Sequence, residues 1–280
     1  MAARAQTATV IRPAESAWSN LAGYLRELGE YRDLLRTLSL HRISVRYRQT
    51  VLGVFWAVLQ PLLMMLIFVG VFSYLARIPS EGSPYALFAY TALLPWTYFS
   101  TAVTNATGSL VNHTQLITKV YFPREILPLT YVIASLFDFV LGLVALLGLM
   151  IWYHVPVTAA ILYLVPVVAI LTGWILAVAL LCSAAQVRWR DIGVAMPLMV
   201  QVVMFASPVI YPLGLVPASW RPLYLLNPIA GIVNSFRDVL LRGVHPDTVP
   251  LLYAAIVTAC TLPLAYAVFK RAEATMADVV

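Results

Sequence analysis

The amino-acid sequence predicts an all-α integral membrane protein with six transmembrane helices, and its composition is the first observation behind this prediction. Of the 280 residues, 61% are hydrophobic and only 11% are charged, against about 25% charged in ordinary soluble domains. A soluble domain of this size cannot bury so much apolar surface, because its surface-to-volume ratio limits the buried fraction. The composition therefore excludes a soluble enzyme, a disordered chain and a nucleic-acid-binding protein.

Long runs without charged residues are the second observation, because a helix needs about 20 apolar residues to cross a bilayer. Such runs occupy residues 49–76, 82–118, 139–187, 192–220 and 248–269. The first run gives one span, the second gives a span near 85–106, and the last two give a fifth span ending near Pro212 and a sixth. Run 139–187 is too long for one helix and breaks at 152–156, so it completes a third span begun near Ile126 and holds a fourth from about Thr158. All six must be helices, because backbone groups in lipid need partners within their own segment.

The distribution of positive charge predicts the orientation of these spans. With the N-terminus in the cytoplasm, the inner segments hold fourteen of the eighteen Lys and Arg residues. The four on the outer side are Arg77, Arg221, Arg237 and Arg242. Because positive residues concentrate in cytoplasmic loops, we expect both termini and residues 107–125 to face the cytoplasm.

Three regions follow from this map: a cytoplasmic N-terminal region at 1–48, a transmembrane domain at 49–271 and a cytoplasmic tail at 272–280. The first contains a predicted amphipathic interfacial helix at 21–38, where Leu and Tyr recur at spacings of three and four and charged residues fill the other face. This helix either lies on the membrane surface or docks a cytosolic partner, and the two interpretations are compatible.

The outer segment at 214–247 is too apolar for a free loop, yet Asn227-Pro228 and Arg237-Asp238 interrupt it. This pattern predicts a pair of short re-entrant helices that dip into the outer leaflet between spans 5 and 6.

The sequence contains no recognisable catalytic or metal-binding motif. The two lysines, Lys119 and Lys270, do not belong to a GxxxxGK[ST] phosphate loop, so the chain has no ATP site of that kind. HExxH, GxSxG and Cys/His metal spacings are also missing from the sequence. We therefore expect no catalytic residue, metal or cofactor in this chain.

Asp138 is the one charged residue inside a predicted span. Such a residue costs about 2.5–3.5 kcal/mol on insertion scales and marks a functional site by default. It is either a proton or ion site, or a protonated or hydrogen-bonded acid that faces the helix bundle.

Several short segments, in order, carry a resemblance to a known family. They are VRYRQTVLGVFW at 45–56 followed by Gln60-Pro61, LITKVYFPREILP at 116–128, RDI at 190–192, SPVIYP at 207–212, LNP at 226–228 and Phe236-Arg237. The chain resembles the ABC-2 type polysaccharide-export permeases, the membrane subunits of O-antigen, capsule and teichoic acid ABC exporters. The resemblance runs from about residue 30 to residue 271.

This resemblance implies a permease subunit that moves a lipid-linked polysaccharide outward across the inner (plasma) membrane. Two copies would form the channel in a membrane lipid environment, and two separate ABC ATPase subunits would bind ATP and Mg²⁺ below it. No nucleic acid is implied. An ABC-2 permease for a drug or small lipid, and a membrane-bound enzyme without an ATPase, are the alternatives.

The resemblance also implies roles for particular residues. The ATPase-coupling segment comprises Lys119, Tyr121, Phe122, Pro123, Arg124 and Glu125. Its three charged residues would form a charged rim, with Arg124 exposed and not needed for packing, while the two rings would anchor in a partner's cleft. An ordinary positive-inside loop is the other interpretation. The outer gate would contain Tyr211, Asn227, Pro228 and Arg237.

Two further groups concern the substrate. Arg46, Tyr47 and Arg48 lie where the first span leaves the cytoplasm, and arginines there would bind a lipid phosphate or only anchor the topology. The first and fifth spans would line the pore with Phe55, Trp56, Gln60, Gln201, Met204 and Phe205. A glutamine facing lipid would be costly, so these amides should point inward, towards substrate or a neighbouring helix.

Overall fold

A computed structural model describes residues 21–279 of the chain; residues 1–20 of the predicted N-terminal region and Val280 of the tail lie outside the described residues. The helices are α1 (Leu21–Glu30), α2 (Arg32–Tyr47), α3 (Trp56–Phe68), α4 (Tyr85–Thr107), α5 (Thr114–Lys119), α6 (Ile126–Trp152), α7 (Leu164–Arg188), α8 (Asp191–Phe205), α9 (Arg221–Tyr224), α10 (Pro228–Arg237) and α11 (Thr248–Val279). Short 3₁₀ turns precede α3 at Gly53–Phe55 and α7 at Ala159–Tyr163, and π-helical turns extend α3 to Leu75 and α10 to Arg242. The part of the chain that the structure describes contains no strand, which confirms the all-α prediction.

Four helical segments are long and apolar enough to cross a membrane. They are Gly53–Leu75, Ile126–Trp152, Ala159–Arg188 and Thr248–Glu273, and they correspond to the first, third, fourth and sixth predicted spans. Helix α4 has 23 residues, but its Tyr, Thr, Ser and Pro residues dilute its apolar character. Helix α8 has 15 residues, or about 22 Å at 1.5 Å per residue, which is shorter than the hydrocarbon core of about 30 Å.

Helix α4 is the centre of the bundle, because α3, α6, α7, α8 and α10 all pack against it. Most of its side chains are buried, and Phe88 and Tyr90 are among the largest buried side chains of the chain. The Tyr90 hydroxyl donates to the carbonyl of Gly142 on α6 over 3.3 Å. A Cβ at Gly142 would lie 2.3 Å from Leu94 Cδ1, so this glycine allows α4 and α6 to approach closely.

The amphipathic segment forms two helices rather than one, with the break at Tyr31. Leu28, Leu34 and Leu38 pack against a cluster that contains Ile117, Phe122, Leu180 and Phe269. The apolar face of the segment therefore rests partly on this chain itself. Helix α2 also continues to Tyr47, beyond the predicted end at residue 38, because it lies along α6.

The segment at 214–247 contains the two short helices α9 and α10, which agrees with the interruptions in its apolar pattern. Helix α10 is buried among α4, α7 and α11. A Cβ at Gly231 would lie 2.2 Å from the carbonyl oxygen of Pro250, so only glycine permits this approach of α10 to α11.

Candidate functional site

Asp138 is bonded to two residues of α2. Arg46 donates from Nη1 to Asp138 Oδ2, and the Tyr47 hydroxyl donates to Asp138 Oδ1. The Arg46 side chain is 35% exposed and that of Asp138 is 20% exposed. The charge of the half-buried Asp138 is thus compensated by a positive partner. The structure favours the hydrogen-bonded acid over the other interpretation offered for Asp138.

The contact between α2 and α6 brings these residues together. One turn before Arg46, Arg42 donates from Nε to Thr130 Oγ1 over 3.1 Å, and its guanidinium lies 3.3 Å from the ring centroid of Tyr131. The two helices run side by side in the same direction, so Arg46 reaches Asp138 further along α6. The sequence analysis missed this pairing, although the i,i+4 spacing of Arg42 and Arg46 places both on one helix face.

Tyr47 is held as a hydrogen-bond donor. Burial first, and then the hydrogen bond to Asp138, raises the pKa of the Tyr47 hydroxyl above its ordinary value. The hydroxyl therefore stays protonated at neutral pH and can donate to an anion.

A cavity of about 160 Å³ opens beside this ion pair. Its wall includes the side chains Arg46, Tyr47, Trp56, Gln60, Thr97, Tyr98, Thr101, Ser135 and Asp138. Two predicted channel residues, Trp56 and Gln60, therefore meet two predicted phosphate-binding residues, Arg46 and Tyr47. The cavity combines charge, hydroxyl and amide groups with aromatic rings, which is the chemistry that binds a polar, ring-shaped ligand.

The remaining predicted substrate residues lie elsewhere. Arg48 is exposed and lies outside the cavity wall. Phe55 is 55% exposed, and on α8 Gln201 and Phe205 are exposed while Met204 is half-buried. No residue of α8 belongs to the cavity wall. Within one chain the first-span and fifth-span groups therefore do not form a single lining.

The segment before α6 differs from the surface loop that we expected. Tyr121 is 84% exposed and Lys119 is exposed, as a docking surface requires. Phe122 is only 5% exposed and Glu125 only 1%. The prediction placed Phe122 in a partner's cleft and Glu125 in an exposed charged rim. It is wrong, because both side chains are buried inside this chain. Pro123 is likewise buried.

Glu125 is buried because an ionic cluster with α11 surrounds it. Lys270 Nζ lies 2.8 Å from both Glu125 Oε2 and Glu273 Oε2, and the Tyr266 hydroxyl donates to Glu125 Oε1 over 3.0 Å. Arg124 donates from its backbone N–H to Glu273 Oε1 and from Nη1 to the Glu273 carbonyl, over 3.0 and 2.8 Å. The expectation that Arg124 is not needed for packing is therefore wrong.

The sequence analysis missed the α11 side of this ionic cluster, namely Tyr266, Lys270 and Glu273. Their spacing of four and three residues places them on one helix face, and this was the available signal. The cluster joins the predicted coupling segment to the C-terminal part of α11.

The predicted outer-gate residues meet at a second site. Arg237 is 2% exposed and donates to the carbonyls of Pro208, Val209 and Tyr211 over 2.8, 3.0 and 3.2 Å. Its guanidinium also lies 3.6 Å from the ring centroid of Phe88. Burial lowers the pKa of Arg237 to about 9, and the charge of Glu81 opposes this shift, so the guanidinium is charged at neutral pH.

Asn227, at the start of α10, also connects this helix to the segment that follows α8. Its Oδ1 accepts the N–H of Ile229, which caps the helix, and its Nδ2 donates to Ser207 Oγ over 2.7 Å. Pro228 follows at the first helical position, where its missing N–H costs nothing. The hydroxyls of Tyr211 and Tyr224 are 2.7 Å apart. The structure therefore brings the four predicted gate residues together where α10 packs against the segment from Ser207 to Tyr211. Pro228 and Arg237 are buried there, and Tyr211 and Asn227 are half-buried.

Comparison with known proteins gives consistent findings along almost the whole chain. The sequence model of the family described as ABC-2 type transporter matches residues 33–241. The chain is 34% identical over 257 residues to a Myxococcus xanthus protein named O-antigen export system permease protein RfbA, covering 91% of this chain and 98% of that protein.

Two further relatives are more distant. A Klebsiella pneumoniae protein, also named O-antigen export system permease protein RfbA, is 26% identical over 81% of this chain and 87% of its own length. The Escherichia coli polysialic acid transport protein KpsM is 24% identical over 86% of this chain and 94% of its own length.

Proposed function

Because this chain belongs to the ABC-2 type transporter family, we propose that it is the membrane permease subunit of an ATP-driven exporter that moves a lipid-linked polysaccharide out of the cytoplasm. The observation that carries this proposal is its similarity, over nearly the full length of both chains, to a protein named for O-antigen export. The cavity beside Arg46 supports it, since hydroxyl, amide and aromatic side chains suit sugars.

The proposed assembly contains two copies of this chain and two ABC ATPase subunits, which supply the ATP and Mg²⁺ chemistry. A second copy is proposed because Phe55 and Phe205 remain exposed and the two groups of channel residues do not meet within one chain. Across a dimer, the first and fifth spans of both copies would line the pore.

We propose six spans in the inner membrane, with both termini in the cytoplasm. Helix α4 is long enough at 23 residues, and its polar residues are tolerable because most of its side chains are buried in protein. Helix α8 would cross together with the segment up to Pro212. The helices α9 and α10 would re-enter the outer leaflet as the outer gate.

The segment around Tyr121 is the proposed ATPase contact. Lys119 and Tyr121 are exposed there, while Glu125 and Arg124 are bonded to α11. A displacement of Tyr121 by the ATPase would therefore move α6 and α11 together, because the ionic cluster joins the N-terminal end of α6 to the C-terminal part of α11.

Deletion of the gene, followed by analysis of lipid-linked glycans inside the cell, tests this function. We expect such glycans to accumulate and the surface polysaccharide to disappear, with recovery on return of the wild-type gene. An unchanged surface polysaccharide, with no glycan accumulating inside, would overturn the proposal.

A further inference from the structure

The ion pair between Arg46 and Asp138 forms part of the wall of the polar cavity. A pair that only stabilised the contact between α2 and α6 would not need open space beside it. Instead, Arg46 keeps 35% of its side-chain surface exposed, and the pair borders space that a ligand can enter.

We propose that Asp138 is a resident counterion that holds Arg46 and Tyr47 in the empty transporter and releases them to a phosphate group of the arriving substrate. This inference rests on the proposed function, and it adds the substrate group that is recognised and the residue that competes with it.

The donors around Asp138 suit a phosphate as well as a carboxylate. A guanidinium carries five N–H donors, and the bond to Asp138 uses the Nη1 group of Arg46. Bidentate binding of phosphate is favoured by the planar fork of arginine. The Tyr47 hydroxyl adds a neutral donor that is already aimed at an anion.

Replacement of a carboxylate by a phosphate is electrostatically feasible here. A phosphate brings more negative charge than the carboxylate that it displaces, and Arg48, exposed two residues beyond Arg46, adds a second positive charge at the same helix end. Asp138 keeps 20% of its side chain exposed, so the released carboxylate can be hydrated instead of being stranded in an apolar interior.

The cavity also has room for the group that adjoins the phosphate. Its volume is about 160 Å³, more than ten times the roughly 10–15 Å³ that one water molecule needs on the same measure. Thr97, Thr101 and Ser135 supply hydroxyls, and the Trp56 ring supplies a flat apolar face. This lining suits the sugar that follows the phosphate in a lipid-linked glycan.

If Asp138 competes with phosphate for Arg46, removing its charge should strengthen phosphate binding, which a purely structural role of Asp138 does not predict. In Asp138→Asn the shape is kept and the charge is removed, so Arg46 no longer has an anionic competitor. We expect the purified complex of permease and ATPase to bind geranylgeranyl pyrophosphate about tenfold more tightly than the wild type. Inorganic pyrophosphate should show the same gain at weaker affinity, whereas geranylgeraniol, which lacks phosphate, should show none.

Arg46→Met should lose at least tenfold in affinity for the pyrophosphate probe, and adding Asp138→Asn to it should restore nothing. The matched control is Arg42→Met, because Arg42 lies one turn earlier on α2 and bonds Thr130 instead of Asp138. Its affinity for the probe should stay within about twofold of the wild type. Unchanged or weaker binding by an assembled Asp138→Asn complex would overturn the proposal and leave Asp138 as a structural counterion.

A second measurement does not depend on the folding of Asp138→Asn. In the wild-type complex with ¹³C-labelled aspartate, the pyrophosphate probe should shift one carboxylate band in the infrared difference spectrum, and geranylgeraniol should not. The shifted band should be absent from Asp138→Glu, which keeps the charge but not the label. No aspartate shift would overturn the proposal, while accumulation of glycans in the deletion strain would still support the exporter function.

Discussion

Two buried charged residues each hold separate segments of this chain together. Arg237 donates hydrogen bonds to three carbonyls of the segment from Pro208 to Tyr211, and Lys270 forms ion pairs with both Glu125 and Glu273. In both cases the charged residue is almost fully buried, with 2% of Arg237 and 7% of the Lys270 side chain exposed. Buried charges of this kind are tolerated only when they are paired and hydrogen-bonded, so their removal should be costly.

Arg237→Met should destabilise the packing of α10 against the segment from Pro208 to Tyr211, because it leaves buried carbonyls without donors. Each such unsatisfied group costs about 1–3 kcal/mol, and we expect a lower midpoint of thermal unfolding in detergent. The matched control is Arg221→Met, since Arg221 also bonds two carbonyls, of Val216 and Gly214, but at the exposed surface. Equal midpoints for the two variants would contradict this role of Arg237.

Lys270→Met should lower the same midpoint strongly, because breaking a buried ion pair by removing one partner costs about 3–5 kcal/mol. The double variant Lys270→Met/Glu125→Gln should cost less than the sum of the two single variants, since the uncompensated carboxylate is gone. The neighbouring exposed residue provides the control Arg271→Met, whose midpoint should hardly change. Strict additivity in the double variant would show that the two residues act independently.

Among the elements, the short segment between α5 and α6 has two faces with different roles. Its inner face, with Phe122 and Glu125, belongs to the interior of this chain, whereas Tyr121 points outward. A substitution of Arg124 therefore disturbs the ionic cluster as well as any partner contact, and Arg124→Glu is not a clean test of docking. Tyr121 provides the cleaner test.

Tyr121→Ala should weaken copurification of the ATPase subunit by about tenfold or more, because tyrosine is enriched among interface hot spots, whose truncation costs about 2 kcal/mol or more. The unfolding midpoint of the permease alone is the second readout, and a loss of copurification at an unchanged midpoint assigns the effect to docking. Thr118→Ala, at an exposed position nearby, should leave copurification unchanged. Normal association of Tyr121→Ala would remove this residue from the contact surface.

At the scale of the whole molecule, two properties call for experiments: the orientation of the chain in the membrane and its assembly with a second copy. The positive-inside distribution predicts the orientation. The exposed rings of Phe55 and Phe205 indicate surfaces that meet lipid or a second copy.

A cysteine at position 121, in a background without Cys182 and Cys260, should react with an impermeant reagent only from the cytoplasmic side. A cysteine at position 215, which is exposed between α8 and α9, should react from the outside of intact cells and serves as the control. Reaction of position 121 from outside would invert the proposed topology.

Phe205→Ala and Phe55→Ala should each reduce glycan export while ATPase association is preserved, because the rings would contact sugar in the pore. Met199→Ala is the control, since Met199 is 57% exposed on α8 but lies on the side away from Gln201 and Phe205. Cysteines at positions 55 and 205 should also crosslink between two copies. Normal export in both alanine variants would show that these rings face the bilayer.

Composition and periodicity were sufficient to predict an all-α membrane protein, its long apolar helices and the presence of two short helices between residues 214 and 247. This succeeds because the apolar character of a span and the need for internally bonded backbone are local properties of the chain. The family segments drew attention to Arg46, Trp56, Asn227 and Arg237, because each residue belongs to a contiguous motif, and the roles assigned to them stay predictions.

Only the tertiary structure decided which charges pair. Arg46 and Asp138 are 92 residues apart, and Lys270 and Glu125 are 145 apart. Such pairs depend on the depth and rotation of one helix against another. In helices that are apolar on nearly every face, the sequence carries little periodic signal for that rotation. The burial of Phe122 and Glu125, which we expected at the surface, has the same origin, because the partner that covers them is the far end of the chain.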